Sequence, residues 1–345
     1  MSPPVISRKM FDMAGPLLSV VNLTQHFDAR TKGLFGSRAK IHAVDDVSFE
    51  ISPGETLSIV GESGCGKSTI ARAILRLTKI TSGQIVLDGV RIDDASVGAL
   101  RPKRRRMQVV FQDPFSSLNP RMKVGQILAE PIRNFGLAKD RKDMKARILR
   151  LLDAVKLPAG AADRLPHEFS GGQRQRIGIA RALATEPDLI ICDEAVSALD
   201  VSVKAQIVNL LQDLQAEFGL ALLFISHDLA IVEHLTHRVA VMYLGKIVEI
   251  GPKASIFQGA QHPYTQALLS AVPVPDPEAP RQRRILKGDV PSPLNPPSGC
   301  RFHTRCPVAI DRCKAEIPEL LPSGSGHYVA CHLAPQNGSQ SLRQN

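Results

Sequence analysis

The stretch Gly61-Glu62-Ser63-Gly64-Cys65-Gly66-Lys67-Ser68-Thr69 decides how the rest of this sequence is interpreted. It follows the apolar run Thr56–Val60, which predicts a buried strand, and leads into Ser68–Leu77, which we predict to be a helix. A strand, a loop of the form G-x-x-x-x-G-K-[ST] and a helix, in this order, are typical of a phosphate-binding loop. Its glycines let successive backbone N–H groups point at phosphate oxygens, and the start of the helix adds its positive end.

Two side chains of this loop are predicted to act on a nucleotide directly. Lys67 is expected to contact the β- and γ-phosphates, and the Ser68 hydroxyl is expected to bind magnesium. The other predicted contacts come from Gly61, Ser63, Gly64, Cys65, Gly66 and Thr69. A glycine-rich turn without a ligand is the alternative interpretation of the stretch.

A second apolar run also ends in polar residues. Leu189–Cys192 predicts a strand buried on both faces of a parallel sheet, and Asp193 and Glu194 follow it. Because ligands of α/β proteins bind at the carboxyl ends of parallel strands, Asp193 is predicted to hold magnesium, directly or through water. Glu194 is predicted to accept a proton from the attacking water. Alone, this pattern is more typical of an ordinary strand end, but beside a phosphate loop it favours a hydrolytic site.

Two further residues follow predicted strands. His227 comes after Leu222–Ser226 and is predicted to lie near the γ-phosphate. Gln112 comes after Gln108–Phe111 and is predicted to bind magnesium or to orient the water. Neither is specific by itself, since a single histidine is more often structural or on the surface.

The composition limits the class of protein. The chain has 345 residues, is 43% hydrophobic and carries a formal net charge of +10. This apolar content predicts a folded core, and no apolar run approaches the ~20 residues of a membrane-spanning helix. The N-terminal residues lack the pattern of a secretory signal. We therefore expect a soluble cytosolic protein, whose positive charge suits nucleic acid, anionic lipid or a phosphorylated ligand.

One further motif identifies a family. Phe169-Ser170-Gly171-Gly172-Gln173-Arg174-Gln175-Arg176 resembles the signature motif of the ABC-type ATPases, and it lies just upstream of Asp193, where that family has it. Under this resemblance Gln112 is the Q-loop glutamine, Ser197–Asp200 is the D-loop and His227 is the switch histidine.

The same resemblance, over about residues 16–260, implies an architecture. The chain is expected to be an α/β P-loop nucleotide-binding domain with a RecA-like core, an antiparallel β subdomain and a helical subdomain at about residues 115–185. Phe27 stands where the family has an adenine-stacking aromatic residue, and Phe35 is the alternative because residues 28–43 resemble an insertion.

In this family two such domains close head to tail around two ATP molecules, with Mg²⁺ as cofactor. The residues implied to contact the nucleotide held by the partner domain are Ser170, Gly171, Gly172, Gln173 and Asp200. The signature helix, like the helix after the phosphate loop, then directs its positive end at phosphate.

A narrower resemblance points to one branch of the family. Met107–Gly125 and His262–Thr265 are similar to the ATP-binding subunits of bacterial oligopeptide and dipeptide importers, and Arg101–Arg106 is similar to their F-type subunit. This implies a sister D-type ATPase, two transmembrane permeases and a periplasmic solute-binding protein as partners, at the cytoplasmic face of the inner membrane. Import of nickel or another small solute is an alternative. A non-transport ABC ATPase that acts on nucleic acid is another, which the basic run Arg101–Arg106 would suit.

The last part of the chain, 261–345, differs from the domain predicted at 1–260. It is rich in proline, and Pro273–Pro280 is predicted to be a linker. It also holds Cys300, Cys306, Cys313 and Cys331. Disulfides are disfavoured in the cytosol, which leaves a 4Fe–4S cluster, zinc or free thiols; some importer ATPases of the resembling branch carry such a cluster in this region. Cys65 and Cys192 are interpreted as small packing residues.

Overall fold

A computed structural model describes residues 15–30, 38–113, 117–272, 286 and 288–335. Phe35 and Pro273–Pro280 lie outside these residues. The strands of the described part form two sheets. In chain order they are β1 (Leu18–Arg30), β2 (Arg38–Ile51), β3 (Thr56–Val60), β4 (Ser82–Leu87), β5 (Val90–Arg91), β6 (Met107–Val110), β7 (Leu189–Asp193), β8 (Ala221–Ser226), β9 (Arg238–Tyr243), β10 (Lys246–Pro252), β11 (Leu321–Gly324) and β12 (His327–Val329).

The helices connect and cover these strands. They are α1 (Lys67–Ile74), α2 (Val97–Arg106), α3 (Val124–Asn134), α4 (Arg141–Ala154), α5 (Gly171–Leu183), α6 (Val201–Phe218), α7 (Leu229–Leu235), α8 (Lys253–Gly259), α9 (Pro263–Ser270) and α10 (Asp311–Ala315), with 3₁₀ turns at Ala159–Asp163 and Pro166–Glu168. None of the described helices is long and apolar enough to cross a membrane.

The larger sheet has the order β11-β12-β10-β9-β3-β8-β7-β6. Strands β9, β3, β8, β7 and β6 run parallel, so their carboxyl ends meet at one edge. Every residue of β3 and β8 is buried, as expected for strands covered on both faces. Alternation along the strands divides the core: Ile190 and Leu222 pack on one face, and Ile191 and Leu223 pack on the other.

The smaller sheet is antiparallel, in the order β2-β1-β4-β5. The long strands β1 and β2 pair from Leu18 opposite Ile51 to Arg30 opposite Arg38, with register shifts between Val20 and His26. The described ends of the segment predicted as an insertion therefore belong to two paired strands. This sheet packs its apolar face over α1, with Leu18, Phe49 and Ile74 in one buried cluster.

The tail is built onto the larger sheet. Strand β12 pairs with β10, with Val329 opposite Glu249 and Tyr328 opposite Ile250, and β11 pairs with β12. The Phe302 ring is fully buried against Tyr243 of β9 and Tyr264 of α9. The tail therefore obtains a packing surface from the sheet edge, which its own sparse apolar residues require.

The predicted elements around the phosphate loop are confirmed. The run Thr56–Val60 is β3, Leu189–Cys192 lies in β7, and α1 occupies most of the predicted helix Ser68–Leu77. The α/β class and the antiparallel subdomain are also as predicted. Helix α2 and the tail strands β11 and β12 were not predicted.

Candidate functional site

The phosphate loop connects β3 to α1 and needs glycine at two close approaches. Gly66 has a φ of 106°, and a Cβ there would lie 2.1 Å from the carbonyl oxygen of Ala43. Gly61 has a φ of 152°, and a Cβ there would lie 2.2 Å from the carbonyl oxygen of Met242. Both distances exclude a side chain, so the loop lies directly against the backbone of its neighbours.

Lys67 lies at the centre of this loop. Its side chain is buried, and its Nζ donates to the carbonyl oxygens of Gly61, at 2.8 Å, and of Glu62, at 2.9 Å. The loop thus closes around the ammonium group. A buried cation at the start of a helix forms a binding site for an anion.

The two predicted magnesium ligands are in contact. The Ser68 hydroxyl donates to Oδ1 of Asp193 across 2.7 Å. Burial raises the pKa of Asp193, and the bond from Ser68 opposes that rise. A carboxylate and a hydroxyl are hard oxygen ligands of the kind Mg²⁺ binds, together with waters and substrate phosphates, so this pair fits that ion.

Glu194 follows Asp193 in an unusual backbone conformation. Its φ is 49°, and its backbone N–H donates to the carbonyl oxygen of Ile225 across 3.0 Å. A positive φ outside glycine is uncommon and is concentrated at functional sites. Its Oε1 lies 3.6 Å from Nδ1 of His227, which stands at the end of the neighbouring strand β8. The fold therefore brings together the predicted base and the predicted switch histidine.

A cavity of about 280 Å³ opens beside these groups. Its walls include Lys67, Ser68, Gln112 and Glu194. The predicted loop residues Ser63, Gly64, Gly66 and Thr69 also line it. Most of the residues predicted from four separate motifs therefore face one space.

The signature residues lie elsewhere. Ser170 caps α5: its Oγ accepts from the N–H of Gln173 at 3.3 Å, and its own N–H donates to Oε1 of Gln173 at 3.0 Å. The Ser170 side chain is exposed. Among the described residues that line the cavity, none belongs to Ser170–Gln173, and Asp200 is exposed at the start of α6. These residues therefore do not take part in the cavity beside the phosphate loop of their own chain.

Phe27 is placed on β1 opposite Ile41, which lines the cavity. Its ring is 37% exposed. An exposed ring at the rim of the cavity is available to stack on a base.

The cysteines fall into two sets. Cys65 and Cys192 are buried, and burial raises the pKa of both thiols, to about 12 at Cys192. Neutral thiols in such places act as small apolar residues. In the tail, burial raises the pKa values of Cys300, to about 11, of Cys306 and of Cys331.

The four tail cysteines lie near one another, since each of Cys300, Cys306 and Cys331 is affected by the charge of other members of the set. The backbone N–H groups of Phe302, Val308 and Leu333 oppose this rise in the pKa values of Cys300, Cys306 and Cys331, respectively. Among the described residues, no three cysteine sulfurs lie within 4.8 Å of one another.

Sequence reasoning missed the contacts between the tail and the phosphate loop. The guanidinium of Arg305 bonds to both carboxylate oxygens of Glu62, at 2.7 and 3.1 Å. The carbonyl oxygen of Pro293 accepts from the N–H of His42, and Pro293 lines the cavity. No local pattern marks such contacts, because their partners are more than 200 residues apart.

A second missed network joins the tail to the small sheet. Asp45 pairs with His26, with His42 and with Arg301. Of the described residues, only His26, His42 and Asp45 group three candidate metal ligands with donor atoms within 4.8 Å. Because the guanidinium of Arg301 already occupies Asp45, this group is an ion-pair network.

Comparison with known families agrees with this geometry. Residues 44–197 match the family described as "ABC transporter". Residues 248–313 match the family described as "Oligopeptide/dipeptide transporter, C-terminal region". The second match covers part of the tail, including Cys300, Cys306 and Cys313.

Two curated relatives are similar over nearly their whole length. The probable peptide ABC transporter ATP-binding protein y4tS of Sinorhizobium fredii is 56% identical over 321 residues, which are 93% of this chain and 91% of the relative. The oligopeptide transport ATP-binding protein AppF of Bacillus subtilis is 52% identical over 321 residues, covering 92% of this chain and 97% of the relative.

Among solved structures, the ATP-binding cassette MJ0796 is similar in fold. Its dimeric post-hydrolysis state, bound to ADP and Pi, has a TM-score of 0.60 at 29% identity. The similarity covers 68% of this chain and 98% of that chain.

Proposed function

Because this chain belongs to the ABC transporter family, as an ATP-binding subunit of the peptide-importer type, we propose that it hydrolyses ATP to drive the uptake of peptides through membrane permeases. The observation that carries this proposal is the extent of the similarity. The chain is 56% identical, over 93% of its length, to a probable peptide ABC transporter ATP-binding protein. Residues 248–313 also match the C-terminal region of the oligopeptide/dipeptide transporter family.

The cavity beside the phosphate loop supports a division of roles for one ATP. Lys67 and the loop N–H groups bind the phosphates, while Ser68 and Asp193 hold Mg²⁺, which would neutralise phosphate charge. Glu194 takes the proton of the attacking water, and His227 contacts the γ-phosphate from the next strand. Gln112 reaches the same space from β6 and either binds the ion or orients the water. Phe27 stacks on the adenine.

The signature motif acts in trans in this proposal. Ser170, Gly171 and Gly172 begin a helix whose N-terminus suits an anion, and they do not line the cavity of their own chain. Together with Gln173 and Asp200 they complete the site of a second ATPase, a sister subunit of D-type. Two permeases and a periplasmic binding protein complete the importer, and the chain sits peripherally at the cytoplasmic face of the inner membrane.

We assign residues 1–260 to the ATPase and residues 261–345 to an importer-specific extension with a metal cluster. The four tail cysteines, which form no disulfide, are a donor set for thiolate ligation. Zinc at 2.3 Å from four thiolates would draw the sulfurs to within about 3.8 Å of one another. A 4Fe–4S cluster holds four thiolates farther apart and is the group that we propose here, with zinc as the alternative.

The contacts that the basic run Arg101–Arg106 makes within the chain disfavour action on nucleic acid. Four of its arginines, Arg101, Arg104, Arg105 and Arg106, are engaged within the chain. Their partners are the carbonyl oxygens of Asn134, Arg76 and Thr185 and the carboxylates of Asp88 and Asp188. Side chains that fasten α2 to its surroundings are poorly placed to neutralise a phosphate backbone.

Reconstitution tests the function. The chain, a D-type partner and the permease pair encoded beside it are placed in proteoliposomes with the cognate binding protein, and uptake of labelled di- and oligopeptides and of Ni²⁺ is followed. We expect ATP-dependent peptide uptake that a Lys67→Ala variant abolishes. Uptake of Ni²⁺ alone would contradict the peptide assignment, and salt-sensitive nucleic-acid binding without membrane association would contradict import.

A further inference from the structure

We propose that Arg305 is a positioning residue for ATP, through which the cysteine-rich tail sets the geometry of the phosphate loop. The inference rests on the proposed function, since it concerns regulation of that same nucleotide site. Arg305 lies one residue before Cys306, and its partner Glu62 is the second residue of the loop. A change in the tail therefore has a direct path to the bound phosphates.

The contact is a two-pronged ion pair. Nη1 of Arg305 donates to Oε2 of Glu62 at 2.7 Å, and Nη2 donates to Oε1 at 3.1 Å. The Arg305 side chain is only 8% exposed. Such a pair fixes both the position and the orientation of the carboxylate. Because it is shielded from water, it is worth more than an exposed pair.

Glu62 is fixed from its backbone as well. Its N–H donates to the hydroxyl of Tyr264 at 2.9 Å, and its carbonyl oxygen accepts from Lys67. The side chain that reaches the tail and the carbonyl that holds the phosphate-binding lysine thus belong to one residue. A movement of the Glu62 side chain is expected to move the ammonium group of Lys67.

Charge gives a second reason for the pair. Glu62 places a carboxylate in the loop that must receive a highly anionic ligand. Arg305 neutralises that carboxylate, so the field at the phosphates is left to Lys67 and the helix. Without Arg305, the Glu62 carboxylate of this loop would be unpaired, and its charge would disfavour an anionic ligand.

The tail holds Arg305 in place through Phe302 and the cysteines. The Phe302 ring packs 5.2 Å from the Tyr243 ring and 5.4 Å from the Tyr264 ring, between centroids. The His303 N–H donates to the carbonyl oxygen of Cys300, and the Arg305 N–H donates to the Phe302 carbonyl oxygen. The turn between Cys300 and Cys306 therefore carries the arginine, and a group bound by the cysteines would order that turn.

The test compares ATP affinity and turnover in full-length variants, measured separately with a fluorescent ATP analogue and with phosphate release. Arg305→Ala is expected to weaken ATP binding about tenfold, the usual order for a lost charge-assisted pair, with a smaller change in kcat. Arg305→Lys keeps the charge but loses the two-pronged contact, so its ATP affinity is expected to lie between those of Arg305→Ala and the wild type. The double variant Arg305→Ala/Glu62→Gln removes the repelling carboxylate and is expected to recover most of the affinity.

Arg312→Ala is the matched control. Arg312 also neighbours a tail cysteine, but its pair with Glu316 is exposed and remote from the loop. Cys306→Ser tests the link to the cysteine site: it is expected to lower bound iron and acid-labile sulfide and to weaken ATP binding, with no additional loss when combined with Arg305→Ala.

The outcomes separate this inference from the proposed function. If Arg305→Ala binds ATP as tightly as the wild type and Arg312→Ala, the inference is overturned while the ATPase assignment stands. If affinity falls but Glu62→Gln restores none of it, the charge argument is wrong. If the wild-type chain neither binds nor hydrolyses ATP, the proposed function itself fails.

Discussion

The positive φ of Glu194 helps to place its carboxylate beside His227, at the cavity of the candidate site. The strand β7 delivers Asp193 to Ser68, and the positive φ of the next residue turns the chain sharply at the sheet edge. The Glu194 carboxylate then lies beside His227 and lines the same cavity as Lys67. Strain of about 1–3 kcal/mol at such a residue persists only where the surrounding structure enforces it.

Glu194→Gln should separate binding from turnover. The amide keeps the size of the side chain and leaves the phosphate loop intact, but it cannot take a proton from water. We expect phosphate release to fall by about 10²–10⁴-fold, with ATP affinity within about threefold of the wild type. The control is Glu217→Gln, an exposed residue of α6. Unimpaired turnover by Glu194→Gln would refute the role of a general base.

Residues carried by local motifs were predicted from sequence, and residues defined by distant contacts were not. Asp193 ends the strand β7, and Lys67 and Ser68 follow the loop after the strand β3. The apolar runs that form these strands, and the polar residues after them, can be identified in the sequence. Arg305 and Asp45 are defined by partners that only the folded chain brings near. A lone arginine after a proline-rich stretch carries no local signal, so no single-sequence argument would have selected it.

The hairpin β1–β2 and the tail are fastened by Asp45. Burial alone would raise the pKa of this carboxyl, but hydrogen bonds from His26 and Arg301 outweigh burial and lower the pKa from 3.8 to about 2. Since Arg301 also bonds to the carbonyl oxygen of Leu244, just beyond β9, the network joins the small sheet, the tail and the large sheet. The strands β1 and β2 are therefore connected at Asp45 to both the tail and the large sheet.

This lowered pKa predicts a pH-dependent contribution to stability. A group whose pKa is depressed by folding stabilises the native state above its unfolded pKa, and the contribution disappears as the pH falls toward about 2. Asp45→Asn should thus lower the free energy of unfolding at pH 7 by about 2 kcal/mol. The difference from the wild type should shrink below pH 4. Urea unfolding at pH 7, 5 and 3.5 measures this.

Asp94→Asn is the comparison variant, because Asp94 is 64% exposed and its ion pair with Arg91 is long, at 3.5 Å. It should change the free energy of unfolding by less than about 1 kcal/mol at each pH. A pH-independent loss in Asp45→Asn would show that the carboxylate contributes through shape and not through its charge.

The strands of the large sheet also differ in whether they can be predicted from the sequence. Strands β3 and β8 are mostly apolar, with Thr56, Ser58 and Ser226 as their polar residues, so their burial is predictable from the sequence. Strands β11 and β12 are short, contain Pro322 and glycine, and pair at the sheet edge only because β10 offers an open edge. Such strands follow from the tertiary structure, not from their own propensity.

In the proposed dimer, the chain contributes its phosphate loop to one nucleotide site and its signature motif to the other. Its cavity is lined by residues of the phosphate loop and by Glu194, while Ser170 and Asp200 are exposed and lie outside that lining. Under the proposed function, we expect the chain to bind ATP alone and to complete the site only against another nucleotide-binding domain. The tail also contacts this region from the opposite end of the sequence, because Pro293 lines the cavity and Arg305 pairs with Glu62 of the loop.

Ser170→Arg tests whether the signature acts on the partner's nucleotide. Because Ser170 does not line the cavity of its own chain, the isolated variant should bind ATP with unchanged affinity. In the complex with its partner ATPase, the bulky cation at the helix start should block closure and remove a donor to the γ-phosphate, so turnover should fall by about a hundredfold or more. Glu217→Arg, which adds the same side chain at an exposed site of α6, should leave turnover unchanged. Equal turnover in Ser170→Arg and Glu217→Arg would contradict action in trans. Weakened ATP binding by the isolated Ser170→Arg chain would instead place the signature at its own nucleotide.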